Sequence, residues 1–116
     1  MLLKEVKELL NASVLTGEDH LERQTHSACG ADLLSDVLVH VNNQSLLLTG
    51  LCNPQVMRTA EMLDIICVVM VRGKIPDENT LELAKERDIC VLATNYTMFT
   101  ASGILYSAGL RGGTGA

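Results

Sequence analysis

Between Ile65 and Val71 seven apolar residues follow one another without a break, Ile-Ile-Cys-Val-Val-Met-Val. A strand with one face in water alternates apolar and polar residues. An unbroken run rich in β-branched residues is instead covered on both faces, as in the middle of a parallel sheet with helices on either side. The run is also far short of the ~20 residues that a membrane helix needs. Its flanks repeat one rhythm. Ser45–Thr49 reads as a Leu-rich strand closed by Gly50, and Asn53-Pro54 supplies a cap and a first helical residue. Val56, Met57, Ala60 and Leu63 then form a buried stripe. After the turn Arg72-Gly73-Lys74-Ile75-Pro76, Asp77 caps a helix with Leu81 and Ala84 inward. Ile89–Thr94 is another strand, and a last helix starts at residues 95–97, carries Met98, Ala101, Ser102, Leu105 and Ala108, and ends at Gly109. Strands alternating with helices from 45 to 108 predict parallel βαβ units.

The first half follows a weaker version of the same pattern. Leu2, Leu3, Val6, Leu9 and Leu10 recur at helical spacing, Ser13–Thr16 and Gln24–Cys29 are short strand candidates, and Asp32 is placed to cap a helix running to His40. That helix has Leu33, Leu34, Val37, Leu38 and Val41 on its apolar face. The fold class expected is α/β, a three-layer α/β/α arrangement around a mainly parallel sheet, with the first half free to add antiparallel strands.

At 116 residues there is room for one domain, expected over residues 1–109 with 110–116 as a flexible tail. Apolar residues make up 47% and aromatics only 3% (Tyr96, Phe99, Tyr106), so the core must be aliphatic and the chain is not a disordered one. A net charge of −5 and few rings argue against a nucleic-acid binder. The charged start, Met-Leu-Leu-Lys-Glu-Val-Lys-Glu, is not a signal sequence, and the expectation is a cytoplasmic protein with no membrane contact. Four widely spaced cysteines form no CxxC pair, so neither a disulfide framework nor a metal site is expected. Cys67 and Cys90 read as buried small hydrophobes. Cys29 and Cys52 fall near strand ends and are left with an open redox or metal role.

In an open α/β sheet, ligands bind beyond the carboxyl ends of the strands. Three such ends should align here. They supply Thr49, Gly50 and Asn53; Arg72 and Gly73; and Thr94, Asn95 and Thr97. Glycines permit close backbone approach, and Arg72 offers a fixed cationic fork for phosphate or carboxylate. The same residues also serve ordinary turns and caps. No catalytic set emerges: Ser35 beside Asp36 lacks a positioned base, since nothing in the spacing brings His20, His26 or His40 to it. A phosphate loop is absent, because Gly73-Lys74 is followed by Ile75.

Leu15-Thr16-Gly17-Glu18, Leu21-Glu22-Arg23 and Asp32-Leu33-Leu34-Ser35-Asp36-Val37-Leu38 resemble the first half of a DRTGG domain. Val68–Gly73, Pro76, Leu83-Ala84, Ile89–Thr94 and Phe99 resemble its second half. The family's Asp-Arg stands here as Glu22-Arg23. Its Thr-Gly-Gly stands as Val71-Arg72-Gly73, with Arg72 in place of a glycine. The resemblance marks Glu22, Arg23, Asp32, Ser35 and Asp36 as motif residues. It implies a fold similar to the N-terminal domain of HPr kinase/phosphorylase, without the kinase domain. It also implies a non-catalytic regulatory or self-associating module, a homodimer by default, that senses an anionic metabolite or nucleotide and needs no cofactor. Two alternatives stand beside it: an interaction subunit of a hydrogenase or electron-transfer complex, and a small enzyme of unknown reaction.

Overall fold

A computed structural model describes residues 1–40 and 45–112. The chain runs α1 (Leu3–Leu9), β1 (Ser13–Thr16), a 3₁₀ turn at Glu18–His20, β2 (Ser27–Gly30), α2 (Leu34–His40), β3 (Ser45–Thr49), α3 (Pro54–Met62), β4 (Cys67–Met70), α4 (Glu78–Glu86), β5 (Cys90–Ala93) and α5 (Met98–Ser107). The strands form one mixed sheet in the order β1-β5-β4-β3-β2. β2, β3, β4 and β5 are parallel, and β1 closes the β5 edge antiparallel, with Ser13 opposite Ala93. The chain steps in one direction from β2 to β5 and then takes its first strand as the far edge.

Every residue of β3 and β4 is buried, which is what the unbroken apolar runs require. Alternate residues feed two cores. Leu46, Leu48, Cys67, Val69, Cys90 and Leu92 meet Leu3, Val6 and Leu10 of the α1 segment and Ala101 and Leu105 of α5. Leu47, Val68, Met70 and Val91 face Val37 of α2, Val56, Met57 and Ala60 of α3, and Ala84 of α4. The result is three layers, as expected. The apolar face expected of α2 is narrower than its sequence suggested. Val37 is buried, but Leu33 and Leu38 are exposed, and Val41 lies outside the described residues. The strand expected over 24–29 is shifted to Ser27–Gly30.

Four of the five helices end by one device. The residue after the C-cap is left-handed: Asn11, Asp64, Asp88 or Gly109. The next amide reaches back across the last turn, Ala12 to Lys7, Ile65 to Ala60, Ile89 to Ala84 and Leu110 to Leu105, at 2.9–3.0 Å. This is the Schellman closure, which turns the chain sharply and drops the following apolar side chain inward. Leu110 is buried because it is that apolar residue for α5. The Arg111 carbonyl accepts the Ala28 N–H at 3.0 Å, and the Arg111 guanidinium lies 3.9 Å over the Tyr106 ring. The packed unit therefore includes residues 110–112, and residues 113–116 lie outside those described.

Candidate functional site

The parallel register of β2–β5 brings their carboxyl ends to one rim of the sheet. There the chain builds a cluster around Arg72. The turn after β4 places both Arg72 (φ +60°) and Gly73 (φ +68°) in the left-handed region. Their amides are tied to the loop after β5: Arg72 N–H donates to the Tyr96 carbonyl at 2.8 Å and Gly73 N–H to the Thr94 carbonyl at 2.9 Å. An arginine thus occupies a glycine-like backbone position, held there by two bonds to the neighbouring loop.

The Arg72 side chain crosses to the end of β3 and lies against Gly50. A methyl group at Gly50 would overlap the guanidinium nitrogen and come within 2.8 Å of its central carbon. A side chain at Gly50 would have to push aside the end of the Arg72 side chain, which is flexible and 42% exposed. Arg72 Nη1 donates to Asp32 Oδ2 at 3.3 Å, and Asp32 Oδ1 accepts the Gly50 N–H at 2.7 Å and the Thr49 hydroxyl at 3.3 Å. The Gly50 amide is the largest influence and lowers the Asp32 carboxyl below its usual range; burial opposes it, and the Arg72 guanidinium and the Thr49 hydroxyl add to the lowering. Asp32 therefore has a different job from the one its sequence position implied. α2 starts at Leu34, and the Asp32 carboxylate is spent on the β3 loop and Arg72, not on a helix cap. Nothing local signals this, because its partners are 18 and 40 residues away.

The other candidate residues divide cleanly. Thr49 is buried, and its hydroxyl also accepts the Leu51 N–H at 3.1 Å. Thr94 is buried too: its hydroxyl donates to the Leu10 carbonyl at 2.7 Å and accepts the Tyr96 N–H, so it fastens the end of α1 to the rim. Asn53 and Thr97 cap α3 and α5, accepting from Val56 and Thr100. Asn95 is exposed, with its Oδ1 close over Gly73. The rim that faces solvent is thus Gly50, Arg72, Gly73 and Asn95, with Asp32 behind the guanidinium. Cys52 and Lys74 were not among the candidates but stand near it. The Cys52 thiol lies 3.7 Å from the Gly50 carbonyl, and its ionisation is pushed up by burial and eased by Lys74 and Arg72. Cys29 is pushed up by burial and by Asp36.

Glu22 and Arg23 are not at this rim. Glu22 pairs with Lys4 at 3.2 Å, and Arg23 donates to the Asp88 carbonyl at 3.1 Å, at the amino end of the strands. His20 is at that end as well, 4.0 Å from Asp88, while Ser35 and Asp36 are exposed on α2 at the other. Among the described residues no group of three or more His, Cys, Asp or Glu side chains is placed to hold a metal ion. Nor is any described helix long and apolar enough to cross a membrane.

The sheet order, the two helical layers and the loop rim define a small three-layer α/β domain of mixed sheet. The DRTGG domain model matches residues 5–108, and the chain belongs to that family. Its fold is similar to a crystal structure of the CBS and DRTGG domains of the regulatory region of Clostridium perfringens pyrophosphatase, complexed with its activator diadenosine tetraphosphate. The TM-score is 0.74 at 19% identity, covering 89% of this chain and 45% of that one, so this chain spans less than half of that regulatory region. No curated protein matches at the same level of significance.

Proposed function

We propose that this chain is a regulatory module that binds a small anionic ligand, a nucleotide or another phosphate or carboxylate metabolite, at the Arg72 rim. In this reading it acts in the cytoplasm as a self-associating unit with no chemistry of its own. The observation that carries the reading is the placement of Arg72. A cationic fork is anchored by its own backbone over a glycine at the carboxyl end of a parallel sheet, and its side chain is 42% exposed. Lys74 and the Asn95 amide stand beside it. A guanidinium held in this way suits a planar or tetrahedral anion. The polyphosphate activator of the pyrophosphatase regulatory region supports the same ligand class for a relative in fold.

The test is thermal melting in a panel of inorganic phosphate, an acyl phosphate, AMP, ATP and diadenosine tetraphosphate. At least one is expected to raise the Tm in a concentration-dependent way. Arg72→Gly is the informative variant, because the left-handed backbone accepts glycine without strain, so the fold is kept while the guanidinium is lost. That variant should lose the shift. A flat Tm with every anion at millimolar levels would falsify the ligand-binding reading.

A further inference from the structure

The chain's three aromatic rings all lie on α5 or its lead-in, and none is in the core: Phe99 is 90% exposed, Tyr106 52% and Tyr96 37%. From Asn95 to Leu110, sixteen residues, there is no Asp, Glu, Lys, Arg or His. α5 buries Ala101 and Leu105 against the sheet and turns Phe99, Thr100, Gly103, Tyr106 and Ser107 outward. Phe99, Gly103 and Tyr106 follow one another at i, i+4 and i+7 and so share one line along the helix. A Cβ at Gly103 would touch nothing within 4 Å, which leaves a notch between two rings. A helix with no charged residue on either face and two rings on its outer side has little to set that side apart for water, and such a face is normally covered.

We propose that the outer face of α5 is the surface through which two copies of this chain associate, helix against helix across Gly103. This rests on the self-association part of the function proposed above and names the face that performs it. Charge selects the occupant. In a two-fold dimer residue i of one copy meets residue j of the other, and a strip without charges brings no like charges together. A chain of net charge −5 therefore pairs most readily through a strip with no formal charge, whereas a surface built for an acidic or basic partner would carry the opposite sign. The nearest charged group on the strip is Arg111, already engaged by the Tyr106 ring and by the Tyr106 carbonyl at 2.7 Å. Glu5 and Glu8 line the groove between α1 and the end of α5, at the rim. With roughly 200 Å² per aromatic side chain, Phe99 and Tyr106 alone expose roughly 280 Å² per copy, about half of the ~600 Å² per partner at the lower end of stable interfaces, before Thr100, Gly103 and Ser107 of the same face are counted.

Sedimentation velocity over a wide concentration range tests this on the intact chain. Wild type is expected to form a dimer. Phe99→Glu and Gly103→Arg should each weaken it by at least about tenfold, with unchanged circular dichroism, since both side chains stand in solvent in the monomer. Met62→Glu, at an exposed apolar position on α3, should leave the dimer intact. If wild type dimerises and both α5 variants still do, this face is wrong and self-association survives. If wild type is a monomer throughout, both are wrong, and the anion shift at Arg72 is unaffected. If Phe99→Glu keeps the dimer but loses a nucleotide-induced Tm shift, the rings serve a base-stacking role instead and the dimer face is overturned.

Discussion

Arg72 holds a backbone conformation that costs an L-residue about 1 kcal/mol or more and that glycine adopts freely. The strain is carried at the residue whose guanidinium reaches Gly50 and Asp32. Asp32 makes the arrangement pH-dependent. Its carboxyl titrates below its ordinary range when folded, so its contribution is present above the unfolded value near pH ~3.9 and is lost as pH falls through the folded value. Both side chains are nearly half exposed, so the Arg72 pair itself is worth only about 0.2–1 kcal/mol. Asp32→Ala should therefore be modestly less stable than wild type at pH 7 in urea titrations, and the gap should narrow progressively as pH falls below about 3.9. The same variant unpairs Arg72 and should tighten anion binding, read as a lower ligand concentration for a given Tm shift. Arg72, Gly50 and Gly73 could be singled out from the sequence because a cation and glycines at strand ends are local signals. The partner of Arg72 could not, because Asp32 also fits a local role as a helix cap. Only the strand order puts it beside β3.

At the level of elements, β1, β3 and the caps at Asn53 and Asp77 were legible in full, because capping residues and unbroken apolar runs act within a few positions, whereas the last helix starts at Met98 behind its cap Thr97 and not within 95–97. β2 was placed too early, since neither His26 nor Ser27 advertises a strand; its first residues are held by the neighbouring β3 and not by their own pattern. The helix ends are legible only in part: Gly109 marks the end of α5, but the other three carry no glycine. The signal sought was glycine, and three of the four left-handed positions are Asn or Asp, which tolerate that conformation through short polar side chains. Asp64 gives a direct check, as it is exposed. Asp64→Gly should be neutral or stabilising by up to about 0.5–1 kcal/mol, and Asp64→Val should be worse than the glycine variant by about 1–2 kcal/mol in denaturant melts. Equal stabilities for the two would show that the closure after α3 contributes little.

For the whole molecule, the scarcity of rings has a clear result. Leu, Val, Ile, Met and Cys fill both cores, and the few aromatics are left for the surface. Close-packed aliphatic layers on both sides of a thin sheet leave little slack. Leu92→Ala on one face, or Met57→Ala on the other, should cost about 2–5 kcal/mol, read as a lower urea midpoint with an unchanged slope. Such a loss is a large part of what a domain of this size possesses. The α/β class and three layers followed from the alternation of elements. The strand order did not, because the βαβ rhythm fixes which neighbours are parallel but is silent on where an N-terminal strand docks.

That docking sets a timetable. β1 leaves the ribosome among the first elements, yet its partner β5 is among the last, and Leu10 waits for the Thr94 hydroxyl that fastens it. During synthesis the growing sheet from β2 to β4 can assemble in order and offer α1 a surface, while β1 waits for its partner β5. Closing so long a loop is slow relative to local pairing. The sheet is therefore completed by an early strand, and any chain stalled before residue 90 would present both an unpaired β1 and a naked β4 edge to its neighbours in the cell.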